Sequence, residues 1–500
     1  MDDLVSKKYK TERLFIIILC ITAMVRVFLL NAAFPVFNPV DEVQHFDTIV
    51  RYAEGDVYKS GKPDYSLNLW SAKMQILYGT PEYLHQELKD TLPIFRKMNR
   101  PGADAIVDSL RQGVADSLPN YEIHSPPLYY FVAGEWLNIG KHLLSNDGFL
   151  LYWLRFMNVF YYGLLLWLTY VFCKDLYPED TTVRIGVPML LSVLPNTIFY
   201  SINSDVFSPL FCLLAIFFTL RICLRQQTIP YYAVTGCAIA STILVKLTNM
   251  PTFAVCIGLV IIQLVRFIAN KQMKRHLWHV TALFIALLAP VSLWMGWNVT
   301  ALGNLFGTDD KIKYLGWTRK PFLEWFDHPI FSIGGLKATA DNFHMLIYTV
   351  WRGDLLDWPG WLDGFFTLSS IVFILAVIID LWTTHGKFKY RDSWLNLCFL
   401  AIIVMYIGFI IVSSIQFDFG KCFSPSRANP YFNKGRLIIG CLIPFLILYV
   451  KGLEYILVKI KLKINPLYVI SAICLVIFVI TPIVTFNTFS SSWNWYHYFM

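Results

Sequence analysis

Two adjacent carboxylates, Asp41 and Glu42, follow the first long apolar run of the chain. The run is long enough to cross a membrane as a helix, so the acid pair is expected at the level of the lipid headgroups. A carboxylate in that position can accept a proton from a hydroxyl group and can meet both a lipid-borne and a water-borne substrate. The pair is therefore the first candidate for chemistry.

The alternative interpretation is that the two acids only stabilise the start of a helix. Residues 41–54 have helical spacing, with an apolar stripe opposite a polar stripe that includes Asp41 and His45. Pro39 precedes them, and acids in a first turn interact favourably with the helix dipole. Because that dipole lowers a carboxylate pKa and weakens a base, the surrounding residues must decide between the two interpretations.

Further polar residues are expected near the ends of later helices, on the same side of the membrane. They are His124, Tyr129, Asn203, Asp205, Lys246, Asp354, Trp358, Lys434 and Arg436. The predicted substrate-binding residues are His45, His124, Tyr129, Asn203, Asp205, Asp354 and Trp358. Arg436 is the preferred phosphate ligand, followed by Lys246 and Lys434, since a guanidinium group binds phosphate in bidentate fashion. The alternatives are that Lys246 extends to the membrane surface, and that Lys434 and Arg436 contact lipid headgroups.

The composition describes a polytopic membrane protein. Of the 500 residues, 56% are hydrophobic and only 15% are charged, which excludes an ordinary soluble globular chain. The predicted fold is all-α, a single membrane domain over 1–500. Eleven transmembrane helices are predicted near 14–33, 150–173, 184–200, 205–222, 230–247, 251–267, 277–299, 363–384, 393–415, 434–457 and 466–487.

Short basic loops orient these helices. Loops at 271–276, 387–391 and 459–463 carry the positive charge typical of cytoplasmic loops, and do not indicate a nucleic-acid partner. The N-terminus is then cytoplasmic, and loops 34–149, 300–362 and 416–433 are extracytoplasmic. This count requires 126–140 to be a juxtamembrane helix. The alternatives are that it crosses the membrane, or that 14–33 is a cleaved signal peptide instead of an anchor.

Two arginines, Arg26 and Arg155, fall inside predicted helices and need partners there. Glu135 or Asp205 is the expected partner, in a structural ion pair or in a substrate site. In the second long loop, Asp354 and Trp358 combine a carboxylate with an aromatic face, a pairing that suits sugar binding. Tryptophan is also common at membrane interfaces, and this alternative stays open.

A metal site is not predicted. Nine of the ten cysteines lie singly in apolar runs and are expected to pack in the interior. Asp41 and His45 lie one helical turn apart and could bind a divalent metal, with His124 as a third ligand. The alternative for His124 is a hydrogen bond to a sugar or to the Pro126-Pro127 turn.

In its motifs the chain resembles the GT-C superfamily of membrane glycosyltransferases, and within it a bacterial branch. The matching elements are D-E-x-x-H-F at 41–46, H-x-P-P-L-Y-Y at 124–130 and G-R at 435–436. The resemblance implies a polyprenyl-phosphate or polyprenyl-diphosphate sugar donor. It also implies an acidic catalytic base in the first outer loop, with Asp41 as the matching position and Glu42 second. The adjacent acids differ from the D-x-D pattern of metal-using oligosaccharyltransferases.

The predicted function is transfer of a sugar from a polyprenyl-phosphate donor to a cell-envelope glycan, lipid or protein acceptor, with inversion at the anomeric carbon. The expected location is a bacterial inner membrane, with a dolichol donor in the endoplasmic reticulum as an alternative. The alternative functions are a transporter or flippase of a lipid-linked glycan, and a non-catalytic scaffold. The catalytic hypothesis requires Asp41, Lys246 and Arg436 to converge.

Overall fold

The computed structural model describes residues 2–39, 41–56, 65–80, 100–383 and 391–497. In chain order, its first helices are α1 (Asp2–Ala33), α2 (Glu42–Glu54), α3 (Leu69–Tyr78), α4 (Arg100–Ser117), α5 (Pro127–Leu143), α6 (Asp147–Leu176), α7 (Thr181–Val193), α8 (Ser208–Leu224) and α9 (Ile229–Val245). The later helices are α10 (Met250–Ala269), α11 (Met273–Leu302), α12 (Asp309–Tyr314), α13 (Leu336–Arg352), α14 (Gly360–Thr383), α15 (Arg391–Ile415), α16 (Leu442–Lys459), α17 (Pro466–Val484) and α18 (Phe486–Ser490).

Short 3-10 helices connect many of these elements. They span Thr197–Tyr200, Ser204–Phe207, Leu247–Asn249, Phe322–Asp327, Pro329–Phe331, Ile333–Gly335, Gly435–Cys441 and Trp495–His497. Two strands of two residues, β1 (Thr318–Arg319) and β2 (Phe417–Asp418), pair in antiparallel fashion with Thr318 opposite Asp418. This pairing joins the long loop before α13 to the loop after α15.

The predicted all-α polytopic fold is confirmed. Among the described residues, nine helices are long and apolar enough to cross a membrane, namely α1, α6, α8, α10, α11 and α14–α17, where α8, α10 and α16 include the preceding 3-10 turn. The two shorter apolar helices α7 and α9 bring the total to the predicted eleven. The predicted basic loop at 387–391 lies outside the described residues except for Arg391.

The helices pack into one bundle. α1 lies against α6 and α7, α9 lies between α8 and α11, and α16 contacts α7, α14 and α15. Glycines allow the closest approaches: a Cβ atom at Gly236 of α9 would lie 2.2 Å from the Leu283 carbonyl oxygen of α11. Small residues at helix contacts are typical of membrane bundles, where backbone packing holds helices together.

The outward faces of the bundle are apolar. On α14, Trp361, Leu368, Leu375 and Trp382 are all exposed, and they recur every seven residues along one face. Such a stripe is unfavourable in water but is expected for a helix that contacts lipid hydrocarbon.

One predicted helix ends early. Residues 184–200 were expected to form a single span, but α7 ends at Val193 and a 3-10 turn follows from Thr197. Pro195 disfavours helical backbone at Leu194 and cannot donate a backbone hydrogen bond, so the chain turns there. The break leaves Asn196 free to hydrogen-bond to the carbonyl oxygens of Thr349 and Val350.

Polar contacts collect at the two ends of the bundle. At one end, which we call the inner end, ion pairs join Glu12 to Arg184, Asp175 to Arg225, and Asp180 to Lys451. The opposite end, the outer end, contains the segments 34–56, 119–127, 193–208, 246–249, 303–312, 349–359 and 416–441. The grouping agrees with the alternation of helix directions predicted from the basic loops.

The segment 126–140 forms most of α5. This helix packs along α2 and against the first turns of α6, where Trp136 and Trp153 stack at 4.4 Å and each indole donates to the other's carbonyl oxygen. Its juxtamembrane placement stays a prediction.

Candidate functional site

Asp41 stands between the end of α1 and the first residue of α2. Its backbone has φ 65° and ψ 1°, a left-handed conformation that residues other than glycine rarely adopt. Its carboxylate makes no capping hydrogen bond to α2. Instead Oδ1 accepts a hydrogen bond from the Tyr121 hydroxyl, and Oδ2 lies 3.3 Å from Nη2 of Arg436. The helix-cap interpretation is therefore wrong for the Asp41 side chain.

Glu42 occupies a different environment, although it is the next residue. Its two oxygens accept from Arg155 at 2.8 and 2.7 Å, and also from the backbone N–H groups of Ile202 at 2.8 Å and Phe37 at 2.6 Å. Neither side chain of the ion pair has any exposed surface. The partner of Arg155 is thus Glu42, and the prediction of Glu135 or Asp205 is wrong. With four donors already bound, Glu42 is poorly placed to act as a second base.

Arg26 also has partners other than those expected. Its guanidinium donates to the carbonyl oxygens of Val193 at 2.7 Å and Leu194 at 2.5 Å, where α7 ends before Pro195. These carbonyls have lost their helical partners, so the arginine satisfies the end of a neighbouring helix. The predicted pairing of Arg26 with Glu135 or Asp205 is wrong.

Arg436 connects Asp41 to the second long loop. Its Nε lies 3.9 Å from Oδ2 of Asp354, and Nζ of Lys434 lies 3.9 Å from the other oxygen of Asp354. Gly435 makes this arrangement possible: its N–H donates to Thr349 Oγ1 at 2.7 Å, and a Cβ atom there would lie 2.2 Å from the backbone nitrogen of Val350. The close approach places both cations beside Asp354, the second residue after α13.

Lys246 lies where α9 ends. Its ammonium group is 2.6 Å from Oδ1 of the fully buried Asp205. Asp205 is held by a break between helices, because the Asn203 side chain accepts a hydrogen bond from the N–H of Asp205 at 2.8 Å and starts a 3-10 turn. Lys246 is mostly buried, and its ammonium group is directed at Asp205.

Glu122 adds a third acid close to Asp41. It forms an ion pair with Lys311 of α12, and Tyr121 lies beside the same lysine. Burial alone would raise the pKa of Glu122, but the ammonium groups of Lys311 and Lys246 hold that pKa below its usual range. Burial likewise opposes ionisation of Asp41, yet Arg436, Lys311 and the Tyr121 hydroxyl keep the pKa of Asp41 below its ordinary value. Both carboxylates are therefore ionised at neutral pH.

The two histidines are buried and neutral. His45 Nδ1 lies 2.7 Å from the Tyr130 hydroxyl, and His124 Nε2 lies 2.9 Å from the Tyr65 hydroxyl, which donates to Asp310. Burial lowers the pKa of each histidine to about 4. Among the described residues, no three His, Cys, Asp or Glu side chains form a group that could hold a metal ion.

Two predicted substrate-binding residues are packed in the interior. Tyr129 is buried, with its ring edge against Phe207 at 5.1 Å, and its hydroxyl bonds to the backbone of Asn203. Trp358 is also buried and packs against Phe366 of α14 at 5.2 Å. Trp358 therefore offers no open ring face next to Asp354.

We call the group of charges at this end the outer cluster. It consists of four carboxylates and four cations, Asp41, Glu122, Asp205 and Asp354 with Lys246, Lys311, Lys434 and Arg436. Asp41 and Arg436 are in direct contact, whereas Lys246 is linked to Asp41 only indirectly, because it acts electrostatically on Glu122 and Glu122 acts on Asp41. The convergence of all three residues, which the catalytic hypothesis requires, stays a prediction. Such a group can accept a proton and bind an anionic ligand.

Some oxygens of the outer cluster lack a donor. Within the described parts of the chain, Oδ2 of Asp205 and Oδ1 of Asp354 are buried without a hydrogen bond. A buried acceptor without a donor is unfavourable by about 1–3 kcal/mol, so these positions favour a ligand that brings hydroxyl or N–H groups.

The sequence profile of one protein family matches residues 25–421, which is most of the chain. That family is described as predicted membrane protein, DUF2142. The chain belongs to this family. The family description names no activity, and a comparison with curated proteins finds no match. The matched DUF2142 region contains Asp41, Lys246 and Asp354, and it ends before Lys434 and Arg436.

In this DUF2142 protein, three residues of the site could not be predicted from the sequence, namely Tyr121, Glu122 and Lys311. Tyr121 and Glu122 stand just before the H-x-P-P-L-Y-Y element, and their position three and two residues before His124 is the only signal for them. Lys311 has no signal at all, because it comes from the second outer loop, 189 residues after its partner Glu122. Only the fold brings these loops together.

Proposed function

We propose that this protein is a glycosyltransferase that uses a polyprenyl-phosphate sugar at the outer cluster. The observation that carries the proposal is the state of the Asp41 carboxylate. It does not cap its helix, it lies 3.3 Å from Arg436, which is 395 residues later in the chain, and Arg436, Lys311 and Tyr121 hold the pKa of Asp41 below its ordinary value. Sugar transfer from a lipid phosphate requires a base next to a cation that can bind the phosphate, and Asp41 and Arg436 offer this combination.

In the proposed reaction, a hydroxyl oxygen of the acceptor attacks the anomeric carbon of the donor. Asp41 takes the hydroxyl proton, a new carbon–oxygen bond forms, and the bond to the phosphate oxygen breaks. The polyprenyl phosphate leaves with the electron pair of that bond. One displacement with one base inverts the anomeric centre.

Sugar transfer also requires positive charge that stabilises the departing phosphate. In this proposal Arg436, which contacts Asp41, binds the donor phosphate, and Lys434, which shares Asp354 with Arg436, adds positive charge beside it. Lys246, paired with Asp205, is the third phosphate-binding cation of the proposal. These cations stabilise the charge that builds on the leaving oxygen. When Arg436 turns toward the phosphate, it withdraws from Asp41, and the pKa of Asp41 rises. Donor binding thus strengthens the base at the moment when it is needed.

The proposal also specifies the side of the membrane on which the reaction takes place. The basic loops favour a cytoplasmic inner end. In this proposal the outer cluster faces the extracytoplasmic side of a bacterial inner membrane, and the N-terminus is cytoplasmic. The acceptor is a cell-envelope glycan, lipid or protein. Its hydroxyl groups supply donors for the buried oxygens of Asp205 and Asp354.

A flippase for a lipid-linked glycan is the second candidate. One observation favours it: 3-10 turns at Thr197–Tyr200, Leu247–Asn249 and Gly435–Cys441 adjoin the ends of apolar helices, and irregular helix ends line the binding sites of many transporters. These turns meet at one end of the bundle, whereas a transporter site is expected near the midplane. The single-sided position favours the enzyme.

The test uses purified protein, a radiolabelled polyprenyl-phosphate sugar and a panel of envelope acceptors in detergent. Wild-type protein should form a glycosylated product, and Asp41→Asn should not. Glu135→Gln, which alters an exposed carboxylate on α5, is the control and should keep full activity. Assays with a chelator test the divalent-metal alternative.

Liposomes separate the two candidates. A flippase moves the labelled donor between leaflets without forming product, and its transport would survive Asp41→Asn. Donor movement without product in every acceptor mixture would reject the transferase.

A further inference from the structure

The loop before α13 carries a row of exposed apolar side chains. Five of them, within twelve residues, have between 54% and 89% of their surface exposed, and we call them the apolar ridge: Phe322, Leu323, Phe326, Phe331 and Ile333. They lie on three consecutive 3-10 turns outside the candidate membrane spans. Single exposed apolar residues are common on proteins, but a contiguous group of this size marks an interaction surface.

Hydrogen bonds and ring contacts hold the ridge in a defined conformation. Below it, His328 is buried, with Nε2 2.9 Å from the carbonyl oxygen of Pro430 and Nδ1 accepting from the N–H of Ile330 at 3.1 Å. Above that anchor, Phe326 contacts both Phe322 and Phe331 with ring centroids 5.7 Å apart. The apolar groups are thus held outward by a polar anchor.

The ridge continues into the lipid-facing surface. Its turns pack on α13, which begins with the exposed Leu336 and lies against α14. His344 of α13 hydrogen-bonds to Thr367 of α14 at 2.8 Å, about 10 Å along that spanning helix from its first residue. The exposed stripe of α14 begins at Trp361, six residues before Thr367, and continues past this level at Leu368.

We propose that the apolar ridge inserts into the outer-end leaflet of the membrane. Continuity with the stripe of α14 identifies lipid, rather than a protein, as what covers it. The charged residues around it, Lys320, Glu324, Asp327 and Lys337, balance each other, so hydrophobic burial drives the insertion and anionic headgroups are not required.

Insertion has a consequence for the outer cluster. α13 ends at Arg352, and Asp354, which contacts Arg436 and Lys434, follows two residues later. A ridge embedded in lipid fixes α13 at the membrane surface and therefore holds Asp354 at headgroup level. The proposal concerns the membrane alone and does not depend on sugar transfer.

The test places a fluorescent, environment-sensitive amino acid at Leu323 or Ile333 of the full chain in nanodiscs. Nitroxide groups on the lipids, either close to the headgroup or at the end of the acyl chain, act as quenchers. Both probes should lose fluorescence to the shallow nitroxide more than to the deep one, because a ridge of this kind reaches about 5–10 Å into the leaflet. The same probe at Arg319, an exposed polar site just before the ridge, should not be quenched.

Replacing all lipids by zwitterionic ones, or raising the salt concentration, should leave the quenching unchanged. The double variant Phe322→Asp, Phe326→Asp should abolish quenching at Ile333 while the protein stays in the disc. Absence of quenching in the wild-type chain would overturn the proposal. So would quenching that disappears in discs with a single copy, since the ridge would then contact a second protein molecule.

Discussion

Two carboxylate–arginine contacts lie side by side at the outer end, and they differ in nearly every respect. Glu42 and Arg155 form a bidentate pair without exposed surface, and backbone groups complete the hydrogen bonding of both side chains. Asp41 and Arg436 meet through one contact of 3.3 Å, with 18% and 20% of their side chains exposed. Adjacent residues of one sequence motif thus have separate tasks.

Under the proposed function, this difference separates a structural pair, Glu42–Arg155, from a reactive one, Asp41–Arg436. The Glu42–Arg155 pair ties the end of α1 to α6 and to the turn before α8, and any change of its charge would leave a buried ion without a partner. The Asp41–Arg436 contact is long and partly exposed, so a ligand can replace one side of it at low cost. The same distinction separates the inner-end pair Glu12–Arg184 from the outer cluster.

The largest predicted effect is on stability. Glu42→Gln should lower the free energy of unfolding by about 3–5 kcal/mol, since it leaves the Arg155 charge buried and unpaired. Asp41→Asn should change it by about 1 kcal/mol or less. Equilibrium unfolding in mixed micelles measures both variants. Equal losses in the two variants would remove the distinction between the pairs.

The next largest effect is on the rate of sugar transfer when the phosphate-binding arginine is replaced. Arg436→Gln should reduce transfer by about 10²–10³-fold, because it removes a donor aimed at the developing charge. It should also move the acidic limb of the pH–rate profile upward: Arg436 holds the pKa of Asp41 below its ordinary value, so without it the base protonates at a higher pH.

Lys434→Gln is the matched control for this prediction. Lys434 lies 3.9 Å from Asp354 and has no contact with Asp41 among its ion pairs, so transfer should fall by less than about tenfold and the acidic limb should not move. An unshifted limb in Arg436→Gln would show that Asp41 is not the titrating base.

A smaller effect concerns the buried His45. Its folded-state pKa of about 4 is below the ordinary 6.5, so the unfolded chain binds the proton first. The free energy of unfolding should therefore fall as pH drops from 6.5 towards 4, by up to about 3 kcal/mol. His45→Asn should flatten the pH dependence in this window. An unchanged slope would assign the effect to other groups, of which His124 is the first to examine, because its pKa is also about 4.

The sequence predicted the bundle well because apolar length alone determines a membrane span. It was less successful where the chain breaks or where distant charges pair. Pro195 indicates that the helix beginning near 184 ends before it, but the apolar run continues to residue 200, and the predicted helix was therefore too long. The sequence does not indicate that Glu42, rather than the adjacent Asp41, pairs with Arg155, because Arg155 lies 113 residues away from Glu42 in the chain. Lys311 entered the outer cluster by tertiary packing alone.

The most direct test of the account measures donor binding and turnover in the same protein. Asp41→Asn should bind a polyprenyl-phosphate sugar at least as tightly as wild type, because Arg436 is released from its carboxylate, while transfer falls by about 10²–10⁴-fold. Binding that is lost together with transfer, or transfer that persists, would contradict the assignment of Asp41 as the base.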